Sequence, residues 1–337
     1  MTRNRFFHGL VMATVATIAT SFVASAHGQV TVDPKLPKYA KTSGVSGSIK
    51  SVGSDTMNNL MTVWSEGFLK LYPNVQVEIE GNGSSTAPPA LIEGTATFGP
   101  MSREMKSAEV DEFEKKYGYK PTLLRTGIDM LAVYVHRDNP IAKKGLTLQQ
   151  VDAIFSKTRK GGYPSDIKTW GDVGLTGEWA NKPISLYGRN SASGTYGFFK
   201  DNALFKGDFK DTVKEQPGSS AVVSGVAGDK YGIGYSGIGY KTADVAVISL
   251  AVDANSDFVN AEPDSASDYP LSRFLNIYVN YKPGSTIDPL KGEFVKYIFS
   301  QQGQSDVIKD GYLPVTFGLA KGELAKVGVS VEASASR

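Results

Sequence analysis

The chain has 337 residues, with 36 Lys and Arg against 34 Asp and Glu, three His and no Cys. Balanced and scattered charge argues against nucleic acid as a partner, which calls for a basic patch or stripe; without cysteine there is no disulfide and no thiolate metal site. A chain this long exceeds what one core usually holds, so two domains are expected.

The first 26 residues read as a cleaved export signal: Arg3 and Arg5, an uncharged run from Leu10 to Val23, then Ala24-Ser25-Ala26. Its removal leaves basic and acidic residues equal at 34 each. Export to the periplasm, or secretion, is the expectation. Residues 27–46, rich in Thr, Pro, Lys, Ser and Gly, read as a flexible lead-in.

From Ile49 the pattern alternates strand, glycine-rich turn and helix. A strand ends at Val52, Gly53-Ser54-Asp55-Thr56 follows, and an amphipathic helix runs from Met57 to Leu71. The next unit is a strand Val75 to Ile79, a loop Gly81 to Ser85, and a helix Ala87 to Glu93 with Pro88 and Pro89 in its first turn. A strand Ala96 to Gly99 and a helix Ser107 to Tyr117 continue it. Leu131 to Val135 reads as a strand at a lobe boundary, and the segment of different character that follows begins with a helix Leu148 to Phe155. There, a strand Ile184 to Tyr187 leads through Gly188-Arg189-Asn190-Ser191-Ala192-Ser193-Gly194 into a helix from Thr195. Gly232-Ile233-Gly234-Tyr235-Ser236-Gly237 matches a dinucleotide fingerprint by letter, but no helix start follows, so it reads as a tight turn. A strand Leu275 to Val279 and helices Leu290 to Phe299 and Gln302 to Ile308 pack back on the first lobe, and residues 326–337 form a frayed tail. The expected lobes are 47–130 with 246–325, and 131–245, with mostly parallel sheets covered by helices.

Three loops share one chemistry: Gly-Ser-Asp-Thr at 53–56, Gly-Asn-Gly-Ser-Ser-Thr at 81–86, and Ser-Gly-Thr at 193–195. Each places free amides and hydroxyls at the positive end of a helix, where an anion is stabilised by donors and dipole together. One such loop alone reads as helix capping. Three of them, with Arg189 four residues before Ser193, point to a shared site for a small tetrahedral oxyanion. Catalysis has little support: beyond the signal only His27 and His136 remain, and there is no G-x-S-x-G elbow.

Ser-Val-Gly-Ser-Asp-Thr-Met, Gly-Asn-Gly-Ser-Ser-Thr, Phe-Gly-Pro-Met-Ser-Arg-Glu-Met and Gly-Arg-Asn-Ser-Ala-Ser-Gly-Thr-Tyr-Gly-Phe-Phe together resemble the phosphate-binding proteins that feed the high-affinity phosphate ABC transporter, the PstS family, from Ile49 to Phe317. The resemblance implies an α/β, two-lobed type II periplasmic binding protein fold with two mixed, mostly parallel sheets, flanking helices and a hinge near 126–134 and again near 245–275. It implies a monomer that binds inorganic phosphate without a cofactor and delivers it to a membrane permease. Carried over by position, the contacts are Ser54, Thr56 and Met57 in the first loop, Ser84 in the second, and Arg189, Ser193, Gly194 and Thr195 in the second lobe.

Two departures matter. Where well-known members place an aspartate that accepts the proton of HPO4, this chain has Ser102 followed by Arg103, and Ser191 stands where some members have an acid. Asp129 or Asp55 is the expected replacement acceptor, with Arg103 as an extra ligand or as that aspartate's partner. Two other readings compete: a phosphatase-like hydrolase, and a secreted surface or adhesion protein that binds phosphate incidentally.

Overall fold

The computed structural model describes residues 30–334, so the segment read as an export signal lies outside the described residues. The first part of the chain builds β1 (Gly47–Val52), α1 (Asn58–Leu69), β2 (Val75–Glu80), α2 (Ala87–Glu93), β3 (Phe98–Met101) and α3 (Ser107–Tyr117). In α2 the prolines occupy the first turn, where no amide donor is needed, and Gly94 closes the helix at φ 77°.

β4 (Thr122–His136) is the longest strand among the described residues and belongs to both lobes. The second lobe then adds β5 (Leu146–Thr147), α4 (Leu148–Phe155), β6 (Ser185–Arg189), α5 (Gly194–Asn202), β7 (Lys214–Gln216), α6 (Ser219–Ala227), β8 (Gly232–Gly237), β9 (Val245–Val247) and β10 (Leu250–Ala251). The chain returns through β11 (Ser272–Val279), α7 (Pro289–Ile298), α8 (Gln301–Lys309) and α9 (Phe317–Ala325).

The strands lie in the order β2-β1-β3-β11-β4-β8-β6-β7, with β9 also on β4. Parallel pairs occupy the outer parts, β1 with β2 and β3, and β6 with β7 and β8, while the pairs next to the crossover are antiparallel. The sheet is thus mixed, as a two-lobed fold of this kind requires. β4 changes partner at one peptide bond: Thr122 to Met130 pair with β11, and Leu131 to Val135 pair with β8. At that switch the Leu131 N–H donates to the Leu271 carbonyl at 3.0 Å, so both crossing segments run side by side.

Each lobe has its own core. Leu60, Trp64, Phe68, Ile277 and Phe294 are buried in the first, and Val133, Phe155, Trp170, Phe199 and Tyr235 in the second. Residues 246–271 stay with the second lobe, contrary to the expected return at 246. β9 pairs with β4, β10 pairs with β5, and Leu250, Tyr269 and Leu271 are buried in the second core.

Three further expectations are corrected. The described part of the lead-in, from residue 30, is a strap on the first lobe rather than a flexible segment: Leu36 is fully buried, Gln301 donates to the Pro34 and Leu36 carbonyls, and the Tyr39 hydroxyl donates to Glu293. The tail is likewise packed through residue 334, with Val327 and Val329 buried and the Ser334 N–H on the Lys35 carbonyl. Finally, Gly232 to Gly237 is the fully buried strand β8, not a turn. Gly234 answers to crowding from α6: a Cβ there would stand 2.9 Å from methyls of both Val222 and Val226.

Candidate functional site

The three loops read as oxyanion donors converge where the lobes meet, as expected for sites beyond strand ends. From the first lobe, the β1 turn presents Ser54, Asp55 and Thr56; the short 3-10 turn before α2 presents Ser84; the end of β3 presents Ser102. All four hydroxyls are buried. The Ser54 hydroxyl donates to Ser102 Oγ at 3.1 Å, Ser84 and Ser102 Oγ lie 3.3 Å apart, and the Ser102 N–H donates to Ser84 Oγ at 3.0 Å.

The second lobe closes on this face. Thr195 Oγ1 lies 2.8 Å from Thr56 Oγ1, and the Ser85 N–H donates to the Ala192 carbonyl at 3.1 Å. A Cβ on Gly194 would stand 2.2 Å from Ser84 Oγ and 2.6 Å from Ser102 Oγ, so the second lobe's backbone rests directly on the first lobe's hydroxyls. Ser193 spends its hydroxyl as the cap of α5, accepting from the Thr195 and Tyr196 amides.

Two buried arginines enter the cluster, each held by a carboxylate. Arg189, at the end of β6, donates from Nη1 to Ser219 Oγ at 2.7 Å and lies 3.1 Å from Asp55 Oδ2. Its Nε–H is buried and without a hydrogen-bond partner. Burial pulls this guanidinium below its usual value, and the Asp55 carboxylate opposes that pull. Arg273 stands opposite Asp129 in the β11–β4 register, and its Nε and Nη2 reach Asp129 Oδ2 at 2.9 and 2.7 Å. The same guanidinium donates to the Ser102 carbonyl at 2.9 Å and to Thr195 Oγ1 at 3.0 Å, touching both lobes.

Two candidate residues lie elsewhere. Met57 has its side chain in the first core, and its N–H donates to the Ser54 carbonyl at 3.2 Å. Arg103 is not the partner of Asp129, which Arg273 is. It forks onto Glu109 at 2.7 and 2.8 Å, with Ser85 Oγ at 3.2 Å. Burial would raise the Glu109 carboxyl, but the Arg103 guanidinium and the Lys106 amide hold it below the usual range. Arg103 nonetheless borders the cleft, its Cδ 3.3 Å from where a Cβ on Gly197 of α5 would stand.

Arg273 and Ser219 were missed from sequence. Ser219 opens α6, a helix whose Gly and β-branched content hides it. Arg273 had one available signal, a lone cation at the start of an apolar strand run.

The arrangement offers hydroxyls and guanidinium donors from both lobes to a small anion, with two cations balanced by two carboxylates. A PBP superfamily domain matches residues 39–302. Among curated relatives, the Pseudomonas aeruginosa phosphate-binding protein PstS is 54% identical over 321 residues, covering 95% of this chain and 98% of its own. The Staphylococcus epidermidis phosphate-binding protein PstS is 28% identical over 265 residues, 77% of each chain. A substrate-binding protein from Clostridium perfringens, solved with bound phosphate, superposes with a TM-score of 0.67 at 25% identity, covering 80% of this chain and all of the other. An ABC-type phosphate transport receptor from Vibrio cholerae shares the fold, with a TM-score of 0.61 at 22% identity over 79% of this chain and all of its own.

Proposed function

The chain belongs to the PstS family of phosphate-binding proteins, and on that premise we propose that it captures one inorganic phosphate ion between its lobes and hands it, chemically unchanged, to the permease of an ABC transporter. The family is one of transport binding proteins, not of enzymes. Its members bind substrate in the periplasm or outside the cell; for this chain we assign the periplasm, on the leader-like pattern from Arg3 to Ala26.

One observation carries the reading: hydroxyls and two arginines from both lobes meet in a single buried cluster. Thr56, Ser84, Ser102, Thr195 and Ser219 supply neutral donors, while Arg189 and Arg273 supply charged ones. Ser54 supports Ser102. Such donors in a water-excluded site act with little solvent screening.

Donors alone would hold sulfate as well. Selection of phosphate needs an acceptor for its proton, and Asp129 and Asp55 are the carboxylates of the cluster. Asp129 Oδ2 is filled by Arg273 while Oδ1 accepts one N–H, from Ile238 at 3.0 Å. Asp55 Oδ2 faces Arg189 and the Ser219 amide. Each therefore keeps an oxygen with spare lone pairs. Entry and release follow from bending where the chain crosses between lobes, at Met130-Leu131 and at Leu271-Ser272.

Calorimetric titration with phosphate, sulfate and arsenate on both sides of neutral pH tests this. Tight phosphate binding that sulfate does not displace is expected; equal affinity for both overturns the selectivity. A second expectation concerns Gly194. In Gly194→Ala the new methyl collides with Ser84 and Ser102 only when the lobes are shut, so phosphate affinity should fall about 10- to 100-fold, from the usual cost of overpacking. The melting temperature of the ligand-free protein should stay near wild type.

A further inference from the structure

α6 begins without a cap from its own segment. Its N-cap residue is Gly218, which has no side chain, and no neighbouring hydroxyl or amide in the loop replaces it. Asp55, from the other lobe, supplies the missing acceptor: its Oδ2 accepts the Ser219 N–H at 2.8 Å. Asp55 lies in the first turn of its own 3-10 helix, next to the N-cap Ser54, which makes no side-chain cap there. The capping chemistry that the sequence places at residue 55 is thus spent across the cleft.

The same Oδ2 lies 3.1 Å from Arg189 Nη1, so one oxygen joins a helix start and the site arginine of the second lobe to the first. Gly218 is what lets it approach, since a Cβ there would stand 3.1 Å from Asp55 Oδ1. The loop carrying Asp55 is itself held: the Tyr240 hydroxyl donates to the carbonyls of Asp55 and Thr56 at 3.1 and 3.2 Å, and the Tyr312 hydroxyl donates to that of Thr56 at 2.9 Å.

We propose that Asp55 is a cross-cleft latch, a positioning residue that caps α6 and fixes Arg189 only while the lobes are closed. Opening would return the Ser219 amide and one face of Arg189 to water. The latch therefore acts on how long the closed form lasts rather than on encounter with the ion. Its effect on phosphate rests on the ligand reading above; its effect on closure does not.

The test uses Asp55→Ala and Asp55→Asn in the full chain. The sequence has no cysteine, so Lys106→Cys and Asp201→Cys, exposed positions on opposite lobes, accept a donor–acceptor dye pair. In Asp55→Ala, phosphate should leave about 10-fold faster, from a lost cap and a lost ion-pair partner, with the association rate little changed. The ligand-free distance distribution should shift toward longer separations, while the ligand-free melting temperature stays at the wild-type value. Asp55→Asn keeps an acceptor for the Ser219 amide and should recover part of the closure. Wild-type release and distances in Asp55→Ala would overturn the latch. So would changes in both that appear only together with a lower ligand-free melting temperature. If the wild-type chain binds no phosphate, the ligand reading falls, and the ligand-free distances still decide on the latch.

Discussion

Replacing Arg189 with alanine should weaken phosphate binding about 10- to 100-fold, because one charge-assisted hydrogen bond is worth about 1.5 to 3 kcal/mol. The loss has two parts. The ion loses a buried cation, and Asp55 loses the guanidinium beside its Oδ2, leaving a carboxylate facing an anion. Arg189→Lys should not restore affinity: a point charge on a flexible stem cannot reach Ser219, Asp55 and the ion at once, as a planar fork can. Calorimetry on both variants checks this, and a lysine variant with wild-type affinity would mean that Arg189 supplies charge alone.

The largest effect on folding is expected at Asp129. Asp129→Ala leaves Arg273 buried at the junction of the lobes without its carboxylate, a loss of about 3 to 5 kcal/mol when one partner of a buried pair is removed. Urea unfolding should show a lower midpoint at unchanged slope. A double variant, Asp129→Leu with Arg273→Met, should regain much of that stability, since removing both charges leaves none unpaired. It should nevertheless bind phosphate poorly. Stability and binding would then separate, which marks the pair as a feature kept for the ligand.

Much of this molecule can be read from its sequence, and the failures share a cause. α2, α3 and α4 carry clear periodicity and end signals, such as Thr147 and Gln150 capping each other at α4, and their limits agree with the sequence reading. The first half of β4, Thr-Leu-Leu-Arg-Thr-Gly-Ile-Asp-Met, is not a continuous apolar run, because Arg125, Thr126, Gly127 and an acid, Asp129, interrupt it. That acid is tolerable only through Arg273, 144 positions away in sequence. α6 and β8 hide each other: Gly234, one of the glycines that make Gly232 to Gly237 look like a turn, is there to admit α6, and without β8 nothing argues for α6. The hydroxyl loops were legible because helix starts have a local signature. Arg273 and Ser219 were not, because each is fixed by a tertiary contact; Glu109, the partner of Arg103, lies only six residues on, where its place in the first turn of α3 reads equally as a cap.

β4 also bears on how such a protein can be taken apart or recombined. The second lobe is inserted within the first, yet its boundary falls in the middle of a hydrogen-bonded strand, at Met130 and Leu131, and not in a linker. Excising it would cut that strand at the Met130-Leu131 bond: β8 and β9 would keep Leu131 to His136 and β11 would keep Thr122 to Met130, but the continuous backbone that sets one lobe's strands against the other's would be gone. The lobes are therefore not interchangeable cassettes. A chimera with a relative has to inherit β4 whole, together with the β11 residues that face its first half, if Arg273 is to find its aspartate.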